Sequence, residues 1–211
     1  MRSTKQIAPA LQKTGMITDA QWGDVNGDGN PDLVIAGEWM LIRLFLNNSG
    51  MLEEVDAPGL DSTSGWWNSI VLKDLDGDGD LDFIAGNHGL NSRFEASKTE
   101  PAELWSGDFD ENGTLEQVLS TKKEGEAYPM ALRHDLIEQI PSLEEKYPDY
   151  ESFAGESVTD IFRGEKLKMA THSQAYQLAS VVGWNNGVGA FKITELPMRA
   201  QLSPNVWALV C

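Results

Sequence analysis

The chain has 211 residues, of which 41% are hydrophobic and 23% charged, so it can bury one substantial core and does not have the composition of a disordered protein. Its formal net charge of −17 argues against nucleic acid as a partner, because nucleic acids select basic surfaces. The only cysteine is the final residue, Cys211, and no apolar run approaches the length of a membrane span. We therefore expect no internal disulfide and no membrane insertion of this segment.

The first predicted elements are four short strands near the start of the chain. The runs AQWGD, LVIAGE, IRLFLNN and MLEEVD are apolar or alternating, and turn-forming residues separate them. Four short strands in an antiparallel meander are the content of one blade of a β-propeller. We place this blade 1 at about 17–57.

An acidic nine-residue loop lies inside blade 1 and recurs twice, as DVNGDGNPD from Asp24, DLDGDGDLD from Asp74 and DFDENGTLE from Asp108. Oxygen ligands at loop positions 1, 3, 5, 7 and 9 can surround one hard cation, and a glycine at position 6 permits the sharp turn. The spacing therefore predicts up to three Ca²⁺ ions, with position 7 using its backbone carbonyl. The predicted ligands are Asp24, Asn26, Asp28, Asn30 and Asp32; Asp74, Asp76, Asp78, Asp80 and Asp82; and Asp108, Asp110, Asn112, Thr114 and Glu116.

Two other interpretations of these loops have less support. Solvated Asp-Gly turns would explain one loop, but three loops in the same phase argue against them. An EF-hand needs flanking helices and a closing Glu at position 12, where this chain has Ile35, Ala85 and Leu119. Because short apolar runs flank each loop, we expect each loop to be the bend of a β-hairpin.

The recurrence of the loop extends the propeller prediction along the chain. We place blade 2 at about 66–100, blade 3 at about 101–197, and the start of a further blade at 203–211. The segment WNNGVGAFKITELP, which starts at Trp184, echoes LFLNNSGMLEEVD and is predicted as the outer hairpin of blade 3. The predicted fold class is mainly β: a partial β-propeller of about three to four blades of four-stranded antiparallel sheet, with a helical insertion.

The helical insertion is predicted at 128–172, inside blade 3. Leu132, Leu136 and Ile140 have helical spacing, and Pro141 would end that helix. The next residues, SLEE from Ser142, have the pattern of a capping box that opens another helix.

A group of aromatic and amide residues around the second acidic loop is the best candidate for a ligand-binding surface. Its segments are GWWNS at 65–69 and GNHGLNSRF at 86–94, whose glycines and asparagines suit loops at one rim of a propeller. Such side chains can stack on, and hydrogen-bond to, a sugar or a peptide. Alternatively, the tryptophans pack between blades and the asparagines form turns. The tentative ligand-binding residues are Trp66, Trp67, Asn68, Asn87, His88, Asn91 and Arg93.

The acidic loops and their surroundings resemble FG-GAP or VCBS repeats, the calcium-binding propeller blades also found in integrin alpha subunits. The series GMITDAQWGDVNGDGNPDLVIAGEWM, GWWNSIVLKDLDGDGDLDFIAGNHGLNSRF and ELWSGDFDENGTLEQVL looks like bacterial VCBS repeat proteins, which often carry an ASPIC/UnbV domain. The resemblance implies a calcium-binding propeller, generally of seven blades, of which this chain would be roughly half. Two departures from the family pattern imply that the third site is the weakest: Asn112 removes a charge, and the longer Glu116 would push its carboxylate outward.

These observations predict a non-enzymatic, calcium-stabilised scaffold that binds a protein or glycan ligand for a secreted or cell-surface bacterial protein. No nucleophile elbow or zinc-binding helix accompanies the three histidines, and most clustered carboxylates are predicted calcium ligands. One alternative is a carbohydrate-binding accessory domain or carbohydrate-active enzyme with a glycan site at the Trp66–Arg93 rim. Another is a purely structural scaffold for an adjacent domain.

The expected location follows from the expected calcium affinity. Loops without the closing Glu should bind Ca²⁺ with a Kd on the order of 10⁻⁴ to 10⁻³ M, as extracellular modules do. The opening residues lack the apolar core of a signal peptide, so we expect a fragment of a longer exported protein. We predict an extracellular, periplasmic or outer-membrane surface location, with the rest of the propeller supplied by flanking sequence or by oligomerisation.

Overall fold

The computed structural model describes residues 8–162 and 164–202 of the chain. It divides into two compact units, of which the first combines the segment up to Arg93 with the segment from Ala175 onwards. The second unit is Phe94–Gln174. Antiparallel strands are the most abundant regular structure among the described residues, which confirms the predicted mainly β class.

The regular elements of the described residues are twelve strands, five α-helices and three short 3-10 helices. The strands are β1 (Met16–Gly23), β2 (Asp32–Met40), β3 (Arg43–Asn48), β4 (Met51–Val55), β5 (Gly65–Lys73), β6 (Asp82–Asn87), β7 (Ala102–Gly107), β8 (Glu116–Lys123), β9 (Glu126–Pro129), β10 (Thr171–Ala175), β11 (Val181–Asn185) and β12 (Phe191–Glu195). The α-helices are α1 (Arg133–Gln139), α2 (Leu143–Lys146), α3 (Tyr150–Phe153), α4 (Val158–Ile161) and α5 (Glu165–Met169). The 3-10 helices are Pro9–Lys13, Leu60–Ser62 and Met198–Gln201.

The first four strands form an antiparallel meander in which each strand pairs with the next. This meander spans 16–55, against predicted blade boundaries of about 17 and 57. Residues 33–36 of β2 are all buried, because both faces of this strand are covered. One face joins a core that contains Val34, and the other packs Leu33 and Phe45 against Ala8 and Leu11 at the start of the described chain. A continuous apolar run is typical of a strand buried on both faces.

The second meander is discontinuous in sequence, which corrects the predicted blade boundaries. Its strand order is β5-β6-β11-β12, so the hairpin predicted as the outer part of blade 3 completes the second meander instead. Blade 2 therefore does not end near 100. The chain leaves this meander after β6, forms the second unit, and returns at Ala175.

A cross-strand pair shows why β11 fits beside β6. Gly183 lies directly opposite Phe83 in the ladder, and Phe83 is fully buried. A Cβ added to Gly183 would lie 2.1 Å from the Phe83 ring, so only glycine leaves room for that ring. Val181 of β11 and Phe191 of β12 enter the same apolar core as Phe83, and each such buried side chain contributes about 1.5–3 kcal/mol.

The second unit has its own four-stranded sheet and its own core. The strand order is β10-β7-β8-β9, and all five α-helices lie between β9 and β10 in the sequence. The helices bury apolar side chains together with Phe109 and with Val118 of β8. The predicted helical insertion at 128–172 therefore contains the observed helices, but the third acidic loop belongs to the same unit rather than to a contiguous third blade.

The predicted helix spacing is correct, and the predicted cap is wrong. Leu136 and Ile140 are buried, whereas Leu132 precedes α1 and is 56% exposed. Ser142 has helical backbone angles, and its side chain makes no capping hydrogen bond. The caps come later, where the Asp149 and Ser157 side chains accept backbone N–H groups at the starts of α3 and α4.

The predicted start of a further blade at 203–211 lies outside the described residues. Within the described part of the chain, no helix is both long enough and apolar enough to cross a membrane.

Candidate metal centres

All three acidic loops are bends of β-hairpins, as predicted. We call them loop 1 (24–32), loop 2 (74–82) and loop 3 (108–116); they join β1 to β2, β5 to β6 and β7 to β8. In each hairpin, the residue before the loop pairs with the residue at loop position 9. Loops 1 and 2 belong to the first unit and loop 3 to the second. The common register places each loop position at the same point of its hairpin in all three loops.

The aspartate at position 1 holds each loop in a tight curl. Asp24 accepts hydrogen bonds from the backbone N–H groups of positions 4 and 6, both at 2.8 Å. Asp74 accepts the same two bonds at 2.7 and 3.1 Å. Asp108 accepts the bond from position 6 at 2.9 Å and a bond from Asn112 at 3.0 Å. These bonds join atoms of the loop itself, so residues within each loop support its backbone curl.

The curl requires left-handed backbone at positions 4 and 6. The position 6 glycines have φ values of 84°, 98° and 88°, and the position 4 glycines of loops 1 and 2 have 76° and 83°. In loop 3, position 4 is Glu111, with φ of 63°. A side chain in this region costs roughly 1–2 kcal/mol, so loop 3 carries strain that loops 1 and 2 lack.

The side chains at positions 3 and 5 are exposed or half-buried and organise the residues after them. Position 5 accepts the N–H of position 7 in every loop: Asp28 from Asn30 at 2.8 Å, Asp78 from Asp80 at 2.9 Å, and Asn112 from Thr114 at 2.7 Å. These bonds fix the peptide of position 7. The use of its carbonyl as a ligand stays a prediction.

Loops 2 and 3 each bring three carboxylates together. In loop 2, oxygen atoms of Asp74, Asp76 and Asp78 all lie within 4.8 Å of one another. In loop 3, the same holds for Asp108, Asp110 and Glu116. Loop 1 differs because position 3 is the amide Asn26, which donates to Asp28 at 3.3 Å.

The carboxylate at position 9 is buried and acts as an anchor of the loop. Asp32 and Asp82 are 0% and 1% exposed, and each accepts the backbone N–H of position 2, at 3.1 and 3.0 Å. Glu116 repeats this bond from Phe109 at 2.7 Å. A buried carboxylate without such donors would be strongly destabilising, so these bonds account for the burial. The sequence predicted position 9 only as a ligand and missed this role.

Two asparagines that the sequence analysis did not select complete the anchor in the first unit. The backbone N–H of Asn47 donates to Asp32, and that of Asn185 donates to Asp82, both at 2.8 Å. Their side-chain amides donate to the carbonyl of position 8, which is Pro31 at 2.9 Å and Leu81 at 3.1 Å. The sequence contains a signal for this role, namely the Asn-Asn pair shared by LFLNNSG and GWNNGVG. Asn47 and Asn185 are the first asparagines of these pairs, and each lies at the end of the third strand of its meander.

Loop 3 is anchored differently. Glu116 is 5% exposed and uses one oxygen for Phe109, while its other oxygen accepts from the Thr114 hydroxyl at 3.1 Å. A carboxylate oxygen of Glu116 also lies within 4.8 Å of oxygens of Asp108 and Asp110. The expectation that its longer side chain would turn the carboxylate outward is therefore wrong. The ammonium group of Lys166 in α5 also contacts this loop. It donates to the Phe109 carbonyl at 2.6 Å and lies 3.3 Å from a carboxylate oxygen of Glu111.

The pKa values of three loop carboxylates are shifted by hydrogen bonding, by desolvation and, to a smaller extent, by neighbouring negative charges. The N–H of Asn30 lowers the pKa of Asp28. Desolvation raises the pKa of Asp80, and the negative charges of Asp78 and Asp82 raise it further. Burial likewise raises the pKa of Asp32. A divalent cation would relieve this repulsion.

The donor set fits a hard divalent cation. Every side chain at positions 1, 3, 5 and 9 offers oxygen, and the grouped atoms of loops 2 and 3 are close enough to share one ion. Ca²⁺ accepts six to eight oxygen ligands in flexible geometry, which suits a loop that combines carboxylates, amides and a carbonyl. The residues that would hold it are those at positions 1, 3 and 5, with position 9 contributing an oxygen in addition to its anchoring bonds.

Three of the tentative ligand-binding residues are buried, which corrects that part of the prediction. Trp67 is 0% exposed, and its indole N–H donates to the Thr63 carbonyl at 2.8 Å. Asn87 is also 0% exposed, and its amide donates to the Gln177 carbonyl at 2.9 Å. Asn68 is 6% exposed. Because these side chains lie inside the first unit, they cannot form a surface platform for a sugar.

The other four tentative residues lie nearer the surface. The Trp66 ring stacks on the His88 ring at 4.5 Å and also lies 4.7 Å from Trp39, so part of this aromatic surface is used within the protein. Burial lowers the pKa of His88, and the nearby Glu38 opposes this shift. Asn91 and Arg93 are exposed, and the Asn91 amide donates to the Leu202 carbonyl at 3.1 Å.

The fold and the loops together define a repeat protein built from propeller-type β-meanders that each contain an acidic hairpin loop. Residues 24–85 match the family model of the FG-GAP-like repeat. This range begins at the first residue of loop 1, ends within β6, and includes loops 1 and 2. Residues 24–85 are therefore similar to the FG-GAP-like repeat, in agreement with the resemblance predicted from the sequence. Neither a comparison with curated proteins nor one with solved structures gave a match. The finer resemblance to VCBS proteins with an ASPIC/UnbV domain stays a prediction.

Proposed function

We propose that this chain is a calcium-binding propeller segment that serves as a non-enzymatic binding or adhesion scaffold of a secreted or cell-surface bacterial protein. The observation that supports calcium most directly is the repeated placement of oxygen donors at equivalent positions of three hairpin loops. In this proposal each ion fixes one strand reversal, and its role is structural.

The repulsion between close carboxylates supports an ion in loops 2 and 3. Three carboxylates whose oxygen atoms lie within 4.8 Å of one another repel strongly, and contacts with the protein offset little of this repulsion for the exposed ones. A divalent cation would offset this repulsion and would add its binding free energy to the folded state alone. The expected Kd, on the order of 10⁻⁴ to 10⁻³ M, requires the calcium concentrations found outside cells, which supports an extracellular, periplasmic or outer-membrane surface location.

The scaffold role follows from the repeat family, whose propeller-type fold is suited to presenting loops to a protein or glycan ligand. The glycan-specific alternative at the Trp66–Arg93 rim has less support, because Trp67, Asn68 and Asn87 are buried. Asn91 and Arg93 are exposed, so the rim has polar side chains at the surface.

Calorimetric titration combined with thermal unfolding tests this proposal. We expect Ca²⁺ to bind and to raise Tm; at about 10 mM, or ten times a Kd of 10⁻³ M, each filled site adds about 1.4 kcal/mol. The triple variant Asp28→Asn, Asp78→Asn, Asp110→Asn should lose most of this gain. A control with the same charge change outside the loops, Asp56→Asn, Asp61→Asn, Glu95→Gln, should keep it. No binding heat and no rise in Tm for the parent chain would overturn the calcium proposal.

A further inference from the structure

Asn185 contacts both acidic loops of the first unit. It is the last residue of β11 and is 9% exposed. Its side-chain amide donates to the Val25 carbonyl at position 2 of loop 1, at 2.8 Å, and to the Leu81 carbonyl at position 8 of loop 2, at 3.1 Å. Its backbone N–H donates to Asp82 at position 9 of loop 2, at 2.8 Å. One residue therefore holds parts of two loops that are 50 residues apart in sequence.

The acceptor side of the same amide fixes its orientation. The Asn185 side-chain oxygen accepts from the backbone N–H groups of Asn186 at 2.8 Å and Gly187 at 3.2 Å. Because its donors face carbonyls and its acceptor faces N–H groups, a flipped amide would lose all four bonds. The side chain is therefore held in one orientation between the loops.

These contacts form a continuous hydrogen-bonded chain between two anchor carboxylates. Asp32 accepts the N–H of Val25 at 3.1 Å, the Val25 carbonyl accepts from Asn185, and Asn185 donates its N–H to Asp82. Val25 is 1% exposed and Asp32 and Asp82 are buried, so water does not compete freely along this chain. This chain is a direct physical route from one anchor to the other.

The turn that follows Asn185 also lies against both loops. A Cβ on Gly187 would lie 2.5 Å from a carboxylate oxygen of Asp80, at position 7 of loop 2. A Cβ on Gly27, at position 4 of loop 1, would lie 3.8 Å from the Gly187 carbonyl. The turn of the β11–β12 hairpin thus lies close to residues of both loops.

We propose that Asn185 is a positioning residue that couples the calcium sites of loops 1 and 2, so that filling one site raises the affinity of the other. This inference rests on the calcium function proposed above. An ion in loop 2 orders that loop around the Asp82 anchor and thereby fixes Asn185, which holds the Val25 peptide of loop 1. Binding of the first ion then includes the free-energy cost of ordering the β11–β12 hairpin. Because the hairpin is already ordered, the second ion binds without that cost.

Asn47 provides a matched control. It makes the equivalent bonds to Asp32 and to the Pro31 carbonyl, and its side-chain oxygen accepts from Gly50 in its own turn. These contacts all lie within the first meander, and none of them reaches loop 2. Replacing Asn47 should therefore weaken loop 1 itself and leave the dependence of loop 1 on loop 2 intact.

The test measures the Ca²⁺ affinity of loop 1 by calorimetry, with loop 2 either competent or disabled. All proteins carry Asp108→Asn and Asp110→Asn to silence loop 3, and Asp76→Asn with Asp78→Asn disables loop 2 while keeping oxygen acceptors for its backbone. We expect disabling loop 2 to weaken loop 1 about three- to tenfold. With Asn185→Ala the same comparison should change loop 1 by less than about twofold, whereas with Asn47→Ala the full effect should remain.

The outcomes separate this inference from the proposal on which it rests. If loop 1 has the same affinity with loop 2 competent or disabled, coupling is refuted, and this comparison does not need Asn185→Ala to fold. Coupling of undiminished size in Asn185→Ala refutes the assigned residue. A purely structural Asn185 would lower Tm in calcium-free buffer and leave the ratio of affinities unchanged. No calcium binding by any loop of the parent chain would refute the proposed function itself.

Discussion

Burial separates the carboxylates of each acidic loop into two kinds. Those at position 9 are buried and accept backbone N–H groups, whereas Asp28 and Asp78 at position 5 are exposed. A buried acceptor with protein donors contributes to folding with or without an ion. An exposed acidic side chain in a crowded loop contributes to stability chiefly when a cation is bound. The same residue type at alternating positions therefore has two energetic roles.

Replacing the buried carboxylate of loop 2 should destabilise the protein even without calcium. Asp82→Ala removes the acceptor of two backbone N–H groups, from Leu75 and Asn185. Leaving such donors unsatisfied costs about 1–3 kcal/mol each, so we expect the free energy of unfolding to fall by about 2–6 kcal/mol. Urea unfolding in excess EGTA measures this change.

The control for this prediction is Asp78→Ala, which removes an exposed carboxylate of the same loop. We expect it to change the calcium-free unfolding free energy by less than about 0.5 kcal/mol. The calcium-dependent gain in stability should be reduced in both variants. Equal effects of the two substitutions in EGTA would show that position 9 is not an anchor.

At the residue scale, sequence spacing identified the candidate ligands but not their roles. Alternation of acidic residues predicts which oxygens can face one ion, and loops 2 and 3 do bring three carboxylates together. The spacing cannot distinguish Asp78 from Asp82, because burial depends on the strand that β6 pairs with. Asn185 was missed for the same reason, since it lies 103 residues from Asp82 in the chain.

At the element scale, the hairpin loops share one design but differ in what supports them. An asparagine on the neighbouring strand of the sheet supports loops 1 and 2, whereas Lys166 of α5 supports loop 3 through the Phe109 carbonyl. The ammonium group also lies 3.3 Å from Glu111. A fixed positive charge beside an acidic loop partly replaces the ion and opposes its binding.

Neutralising Lys166 should therefore strengthen calcium binding by loop 3. We expect Lys166→Gln to raise its Ca²⁺ affinity about two- to fivefold, because a partly exposed charge acting over a few Å is worth about 0.5–1 kcal/mol. The same change should lower stability in EGTA, since the Phe109 carbonyl loses its charged donor. Calorimetry in a background with loops 1 and 2 disabled measures the affinity.

Lys168→Gln is the matched control on the same helix. Lys168 is exposed and pairs with Glu165, three residues away. It should leave the affinity of loop 3 unchanged within about a factor of 1.5. An equal gain in both variants would mean that net charge alone, rather than the Lys166 contact, sets the affinity of loop 3.

The elements themselves were largely predictable from local patterns. Apolar runs on both sides of each loop predicted the hairpins, and the spacing of Leu136 and Ile140 predicted α1. The capping box at Ser142 failed because that residue is already in a helical turn after Pro141. A local pattern identifies a potential cap, but the backbone conformation of the capping residue decides whether its side chain can reach the first N–H groups of the helix.

At the scale of the whole molecule, the order of the strands was not predictable from periodicity. The recurrence of the acidic loop suggested three successive blades, whereas β6 pairs with β11 across the entire second unit. Local sequence carries little information on a pairing of such long range. The available signal was the similarity between LFLNNSG and GWNNGVG, which indicates that β11 and β12 form the outer hairpin of a meander. The first two strands of that meander are β5 and β6.

An insertion of this kind should be removable. The chain segments on either side of it are hydrogen-bonded to each other: the Gly89 N–H donates to the Leu178 carbonyl at 2.8 Å, and Asn87 binds the Gln177 carbonyl at 2.9 Å. Replacing 94–174 by a short Gly/Ser linker should leave a first unit that unfolds in one cooperative urea transition. Its own apolar core, which is continuous across β6 and β11, provides the reason.

Folding of the shortened chain, rather than its calcium stoichiometry, distinguishes this architecture from a series of contiguous blades. The shortened chain should bind about two Ca²⁺ ions, since it keeps loops 1 and 2, against about three for the parent. Gly183→Val in the shortened chain should abolish folding, because a Cβ there would lie 2.1 Å from the Phe83 ring and would break the only ladder that joins β11 to β6 within the described residues. A shortened chain that fails to fold, or one that tolerates Gly183→Val, would contradict a second meander completed by β11. Non-cooperative unfolding would show that the first unit depends on residues 94–174 for its core.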